Sequence, residues 1–231
     1  VTSFCEVVAG AWEKMPKKAK CGIAPQALHL QALKDQLPKE IMLGAQNCSE
    51  HLQGAFTGEI SPAAIVDFGA NFTLIGHSER RQIFHEQDKL LNTKAKLALG
   101  CGLNVVFCIG ETLEERESGR TETVLRQQLN EGLKGIEPTS KLIIAYEPVW
   151  AIGTGKTATP EMAKETHAFV RKVLAELGHD AASISILYGG SVKADNAAGL
   201  LACPDIDGGL VGGASLKAQD FLALCHAANN A

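Results

Sequence analysis

Short, nearly continuous apolar runs recur along this chain, and longer stretches with helical periodicity lie between them. Val105-Val106-Phe107-Cys108-Ile109 is the clearest run. A strand that shows no polar alternation is buried on both faces, which is the condition of a parallel strand covered by helices. Strand candidates are Cys21–Gln26, Ile41–Asn47, Phe72–His77, Asn104–Gly110, Lys141–Pro148, Ser183–Gly190 and Asp207–Gly213. Between them, Thr121–Leu133 carries Val124, Leu125, Leu129 and Leu133 at helical spacing. Pro160–Leu177 does the same with Met162, Phe169, Val170, Val173, Leu174 and Leu177. Each has polar residues on its other face.

The chain opens on a helix and not on a strand. Val1, Phe4, Cys5, Val8, Ala11, Trp12 and Met15 recur three and four apart. Lys14, Lys17, Lys18 and Lys20 suit its C-terminal end, where the helix dipole favours cations. A βαβα series closes either as an open doubly wound sheet or as a (β/α)8 barrel. Seven strands preceded by a helix are one strand short of the barrel, so a strand and its loop are expected before Val1. The open sheet explains the count without a missing strand, but the chain lacks the Gly-rich dinucleotide turn that usually opens such a sheet.

No Pro/Gly/Ser linker divides the chain, so residues 1–231 are expected to form one domain, and 45% hydrophobic content is enough for a large core. Net charge is −4 with mixed signs and no Lys/Arg block, which argues against nucleic acid or anionic lipid as partners. No apolar run reaches the ~18 residues of a membrane span, and no signal-peptide pattern is present. The seven cysteines form no CxxC pair and several lie in apolar runs, the usage of reduced core thiols in the cytoplasm.

In a barrel, function gathers at the C-terminal strand ends. His77 ends one strand just before a helix, whose N–H groups would disfavour the imidazolium and leave a neutral donor for a carbonyl oxygen. A structural His capping that helix is the other reading. Glu147 ends a buried strand, held extended by Pro148, and a carboxylate there suits removal of a proton from carbon. An ion-paired core Glu would look the same. Ala151–Ala158 holds two glycines between Trp150 and Pro160, the composition of a closing lid or of a plain surface loop. Tyr188-Gly189-Gly190-Ser191-Val192 and Gly208–Ser215 put glycine-rich turns at the last two strand exits, where phosphate sites form; two tight turns are the alternative. Neither turn has a Lys or Arg, which suits backbone capture of a small phosphate.

These segments resemble the triosephosphate isomerase family: IGHSERR at 75–81, AYEPVWAIGTGKTAT at 145–159, YGGSV at 188–192 and DGGLVGGASL at 207–216. LGAQN at 43–47, GAFTGEIS at 54–61 and CIGETLEER at 108–116 resemble it too, in the family's order over nearly the whole chain. The resemblance implies a TIM barrel that interconverts glyceraldehyde 3-phosphate and dihydroxyacetone phosphate through an enediolate. It implies Glu147 as base and His77 as electrophile, with Gly153, Ser191, Gly212 and Gly213 binding the substrate phosphate. It further implies a supporting role for Glu86, a homodimer through the Gly54–Glu59 loop with Thr57 near its tip, and no metal or organic cofactor. The family's first strand ends near an NWKMN segment with a catalytic Lys. No such segment occurs here, and Lys14 and Lys156 stand elsewhere. An impaired phosphate-binding barrel is therefore the alternative. A Schiff-base aldolase would need a Lys at a strand end, and Lys141 lies at the wrong end of its strand.

Overall fold

The computed structural model describes residues 1–152 and 158–230. In chain order, α1 (Thr2–Trp12) precedes β1 (Gly22–Ile23), α2 (Leu30–Gln36) and β2 (Met42–Ala45). Next come α3 (Pro62–Phe68), β3 (Phe72–Ile75), α4 (Ser78–Gln82), α5 (Asp88–Gly100) and β4 (Asn104–Ile109). Then follow α6 (Leu113–Glu117), α7 (Thr121–Gly132), β5 (Leu142–Tyr146) and α8 (Pro160–Glu176). The last elements are β6 (Ile186–Tyr188), α9 (Ala197–Leu201), β7 (Gly208–Gly209) and α10 (Ala218–Asn230).

Among the described residues, seven strands pair in parallel and in strict chain order, β1 to β7. A doubly wound sheet reverses its order at a switch point. Sequential order is that of a singly wound, curling barrel sheet, so the open-sheet alternative is set aside.

Side chains alternate along the central strands as the pleat requires. Val105, Phe107 and Ile109 of β4 join Leu142, Ile144 and Tyr146 of β5 in a core shared with the helices. Val106, Cys108 and Ala145 point the other way and pack with Phe72 and Leu74 on the inner face. A third cluster, with Cys5, Val8, Trp12, Phe221 and Cys225, holds α1 against α10.

The end strands are shorter than the sequence patterns suggest. Cys21–Gln26 yields only Gly22–Ile23, and Asp207–Gly213 only Gly208–Gly209. Residues past each strand end leave the ladder to form turns. The opening helix ends at Trp12 with no basic residue in its last turn. Of the four lysines expected there, Lys17 meets the helix end, donating to the Trp12 carbonyl and lying 4.1 Å over the indole.

The helix α8 starts where Thr159 Oγ1 accepts from Met162 N (3.2 Å) ahead of Pro160, and buries Val170, Val173 and Leu174. It also buries His167, fully, edge-on to Tyr146 and tilted against Tyr188. Its Nδ1 lies 3.1 Å from the Asp205 carbonyl, and burial pushes its pKa down to about 4. The folded state thus holds this imidazole neutral. Its contribution is intact above the ordinary value of 6.5 and is lost as pH falls from there toward 4, by up to about 3 kcal/mol. Urea unfolding at pH 7 and pH 5 checks this: His167→Gln should lose about 2 kcal/mol less than the parent between the two. Equal losses would mean that His167 is not an acid-sensitive group.

Candidate active site

Three strand exits converge. Gly76, with φ +76°, turns the chain out of β3, and a Cβ there would lie 2.9 Å from Leu91 Cδ1. Conformation and space both require glycine at this corner. The turn delivers His77 as the N-cap of α4, its Nδ1 accepting from Glu79 N at 3.4 Å. The capping reading is therefore correct as geometry, but the other ring nitrogen has a second partner. His77 Nε2 lies 3.0 Å from Glu147 Oε1. The pattern assigns the proton to Nε2, donated to the carboxylate.

Glu147 follows β5 and is 2% exposed. Its Oε2 accepts from Ser78 N at 2.9 Å. An imidazole and a backbone N–H thus hold it, and among the described residues no arginine pairs with it. The Cys108 thiol also bonds to it, and burial, then the Glu147 charge, raise that thiol's pKa so that it remains a neutral donor. The backbone is fitted closely around the residue. A Cβ on Gly110 would come within 1.8 Å of the Glu147 carbonyl oxygen, and one on Gly189 within 2.8 Å of Glu147 Cγ. Gly189 is thus a packing requirement of the carboxylate, a role the phosphate-turn reading did not include.

The His77 pKa is shifted against the direction that the helix start favours. The Glu147 hydrogen bond raises its pKa, burial lowers it, and the charges of Glu147 and Glu79 add to the rise. The Glu79 N–H at Nδ1 favours the neutral ring.

The remaining predicted residues lie at the neighbouring exits. Ser191 follows β6, its carbonyl accepting from Asn196 Nδ2 at 3.1 Å. Gly212 and Gly213 follow β7, where Gly213–Ser215 forms a single 3-10 turn. Side chains at either glycine would meet nothing within 4 Å, so their backbone faces open space. Strands β6 and β7 pair through Tyr188 and Gly209, and Leu210 N donates to Tyr188 O (2.9 Å). Gly153 and most of the Ala151–Ala158 segment lie outside the described residues.

Two features went unread in the sequence. One is the Ser78 N–H that holds Glu147. The other is Glu111, fully buried, whose Oε1 accepts from Arg116 Nη1 (3.0 Å), Tyr146 Oη (3.1 Å) and Trp150 Nε1 (3.0 Å). It anchors the chain just before the segment read as a lid. The CIGETLEER motif contained it, but nothing in the motif shows three donors converging.

Glu86 sits beside this centre. Its Oε1 accepts from Arg80 Nε (2.8 Å) and Nη2 (2.7 Å) and from Lys94 Nζ (2.7 Å). Lys94 Nζ also donates to Asn47 Oδ1 at 3.1 Å. Burial opposes the charge on Glu86, yet these donors outweigh it and hold its pKa below the usual range.

A family model described as triosephosphate isomerase matches residues 1–228. Several relatives carry that name. The Geobacter metallireducens protein is 56% identical over 209 residues, covering 88% of this chain and 83% of its own. The Pelodictyon phaeoclathratiforme protein is 53% identical over 211 residues, covering 90% and 84%. The Chlorobium phaeovibrioides protein is 48% identical over 230 residues, covering 98% and 92%.

Proposed function

The chain belongs to the triosephosphate isomerase family and interconverts D-glyceraldehyde 3-phosphate and dihydroxyacetone phosphate, and we propose that Glu147 and His77 carry that reaction. The observation behind this reading is their direct contact at 3.0 Å, at adjoining strand exits. A base that moves a proton between neighbouring carbons must reach both, and a carboxylate with two oxygens does so. An N–H donor must meet the carbonyl oxygen as it gains charge, and His77 Nε2 is such a donor.

The resting contact sets the order of events. Glu147 occupies the donor that the carbonyl needs, so substrate takes over His77 Nε2 as the carboxylate swings off it. Losing that carboxylate lowers the His77 pKa toward the neutral form, because the carboxylate is the main cause of the rise. The neutral donor that the sequence suggested is then the form facing the enediolate. Ser191, Gly212 and Gly213 bind the phosphate through backbone N–H groups at the β6 and β7 exits, with Gly153 as a further contact. The open space at the two glycines supports this.

The test is a coupled assay on the purified, folded protein. His77→Gln should lower kcat by about 10²–10³ with a much smaller change in KM, the signature of a lost transition-state contact. Equal turnover in parent and variant would remove His77 from the reaction. Absence of turnover in the folded parent would favour a phosphate-binding barrel without chemistry.

The same reading covers assembly and location. The Gly54–Glu59 loop carries Phe56 stacked on His51 at 3.6 Å, and Leu52, Phe56 and Ile60 are exposed. Ile83 and Phe84, beyond α4, are exposed as well. Apolar groups of this kind support a homodimer built through that loop. One sheet linking all seven strands supports a single domain. Among the described residues, no helix is long and apolar enough to cross a membrane. Triose phosphate chemistry in glycolysis and gluconeogenesis, together with seven free thiols, supports a cytoplasmic location.

A further inference from the structure

Two cysteines far from the site lie against each other. Cys21 stands just before β1, and Cys225 is on the buried face of α10. Both belong to the apolar cluster that joins α1, α2 and α10, at 9% and 5% exposure. Their side chains are in hydrogen-bond contact, thiol to thiol.

The backbone on either side is pinned. Asn229 Nδ2 donates to the Cys225 carbonyl at 2.8 Å, and Asn229 Oδ1 accepts from Ala19 N at 2.9 Å. One side chain thus ties the last turns of α10 to the segment entering β1. On the other side, Met42 N donates to the Cys21 carbonyl at 2.9 Å.

The two thiols are not equivalent. The hydrogen bond from Cys225 lowers the Cys21 pKa, burial opposes it, and the nearby Lys17 charge adds to the lowering. Donating that hydrogen bond, together with burial, raises the Cys225 pKa. Cys21 is therefore the sulfur of the pair that gives up its proton first, and the thiolate is the reactive form. Elsewhere, burial pushes Cys48 up to about 12 and Cys108 well above the ordinary value, so both are poor nucleophiles.

We propose that Cys21 and Cys225 form a reversible disulfide when the protein meets hydrogen peroxide, clipping the last helix to the entrance of the first strand. The Cys21 thiolate attacks the peroxide O–O bond; with one proton taken up, this gives a sulfenic acid and water. The Cys225 sulfur then displaces the sulfenic oxygen, which leaves as a second water with the Cys225 proton. Two sulfurs are oxidised, one peroxide is reduced, and a dithiol reverses the bond. The clip lies at the N-terminal end of β1, opposite the strand ends that hold His77 and Glu147, so it acts on stability and not on turnover.

The experiment exposes intact, folded protein to hydrogen peroxide, then alkylates free thiols in denaturant and digests without reduction. A peptide pair joined through Cys21 and Cys225 is expected. It should vanish on reduction and be absent from Cys225→Ser and Cys225→Val. The oxidised parent should melt several degrees higher than the reduced parent at unchanged kcat, and the variants should not shift. Alkylation of both thiols after peroxide has oxidised the half-buried Cys101 and Cys203 would overturn the proposal. So would a link from Cys21 or Cys225 to any other cysteine, such as Cys101. The parent digest alone decides the matter if the variants fold poorly.

Discussion

Glu147→Gln should lower kcat by about 10²–10⁴ while leaving the protein folded. The amide is nearly isosteric with the carboxylate, so Ser78 N keeps an acceptor and Gly110 and Gly189 keep their close fit. Glu147 is 2% exposed and meets His77 Nε2 at 3.0 Å, and among the described residues no arginine pairs with it, so the change strands no buried cation. Basicity is what the change removes. A coupled steady-state assay with a circular-dichroism check on folding reads the result, and a fall of less than tenfold would mean that another group takes the proton. A second readout follows from the same substitution. His77 owes its raised pKa chiefly to Glu147, so its imidazole resonances should titrate at lower pH in the variant. A structural pairing without catalysis would give the titration shift without the rate loss.

Glu86→Leu should destabilise the protein by about 3–5 kcal/mol, because it leaves the buried Lys94 and the half-buried Arg80 without their counter-charge. Lys94 is 2% exposed and keeps its bond to Asn47, while Arg80 loses both of its contacts to Glu86. For a chain of 231 residues this corresponds to a melting temperature lower by roughly 10 °C. The network also connects the exit of β2, through Asn47, to α4, which His77 caps. A secondary loss of kcat, smaller than that of Glu147→Gln, is therefore expected at temperatures where the variant remains folded. Differential scanning calorimetry reads the first effect. An unchanged melting temperature would show that the arrangement of one carboxylate and two cations carries no net stability.

What the sequence made legible follows from where a pattern is strong. Strands β4 and β5 are long apolar runs with both faces buried, and their predicted and observed limits agree within two residues at each end. Strands β1 and β7 have two residues each, because the chain beyond them serves as loop, and hydropathy does not mark that change of duty. His77 and Glu147 were visible because polar side chains ending apolar strands stand out. Their mutual contact was not, since it depends on two chain segments separated by 69 residues between Ser78 and Glu147. The Ser78 N–H carries no sequence signature, every residue but proline having one. The role of Gly189 was read as room for an anion, whereas the structure shows room for Glu147. The upward shift of the His77 pKa was likewise not legible, because the helix start is visible in the sequence and the facing carboxylate is not.

The central claim is that Glu147 is the base at the carbon atoms of a bound triose phosphate. The most direct test treats the protein with a three-carbon phosphate bearing an epoxide where the reacting carbons would lie, followed by peptide mapping. The account predicts one label per chain, attached as an ester to Glu147, formed in step with loss of activity and slowed by inorganic phosphate. Inactivation with the label on another residue, or modification of Glu147 that leaves turnover intact, would contradict it.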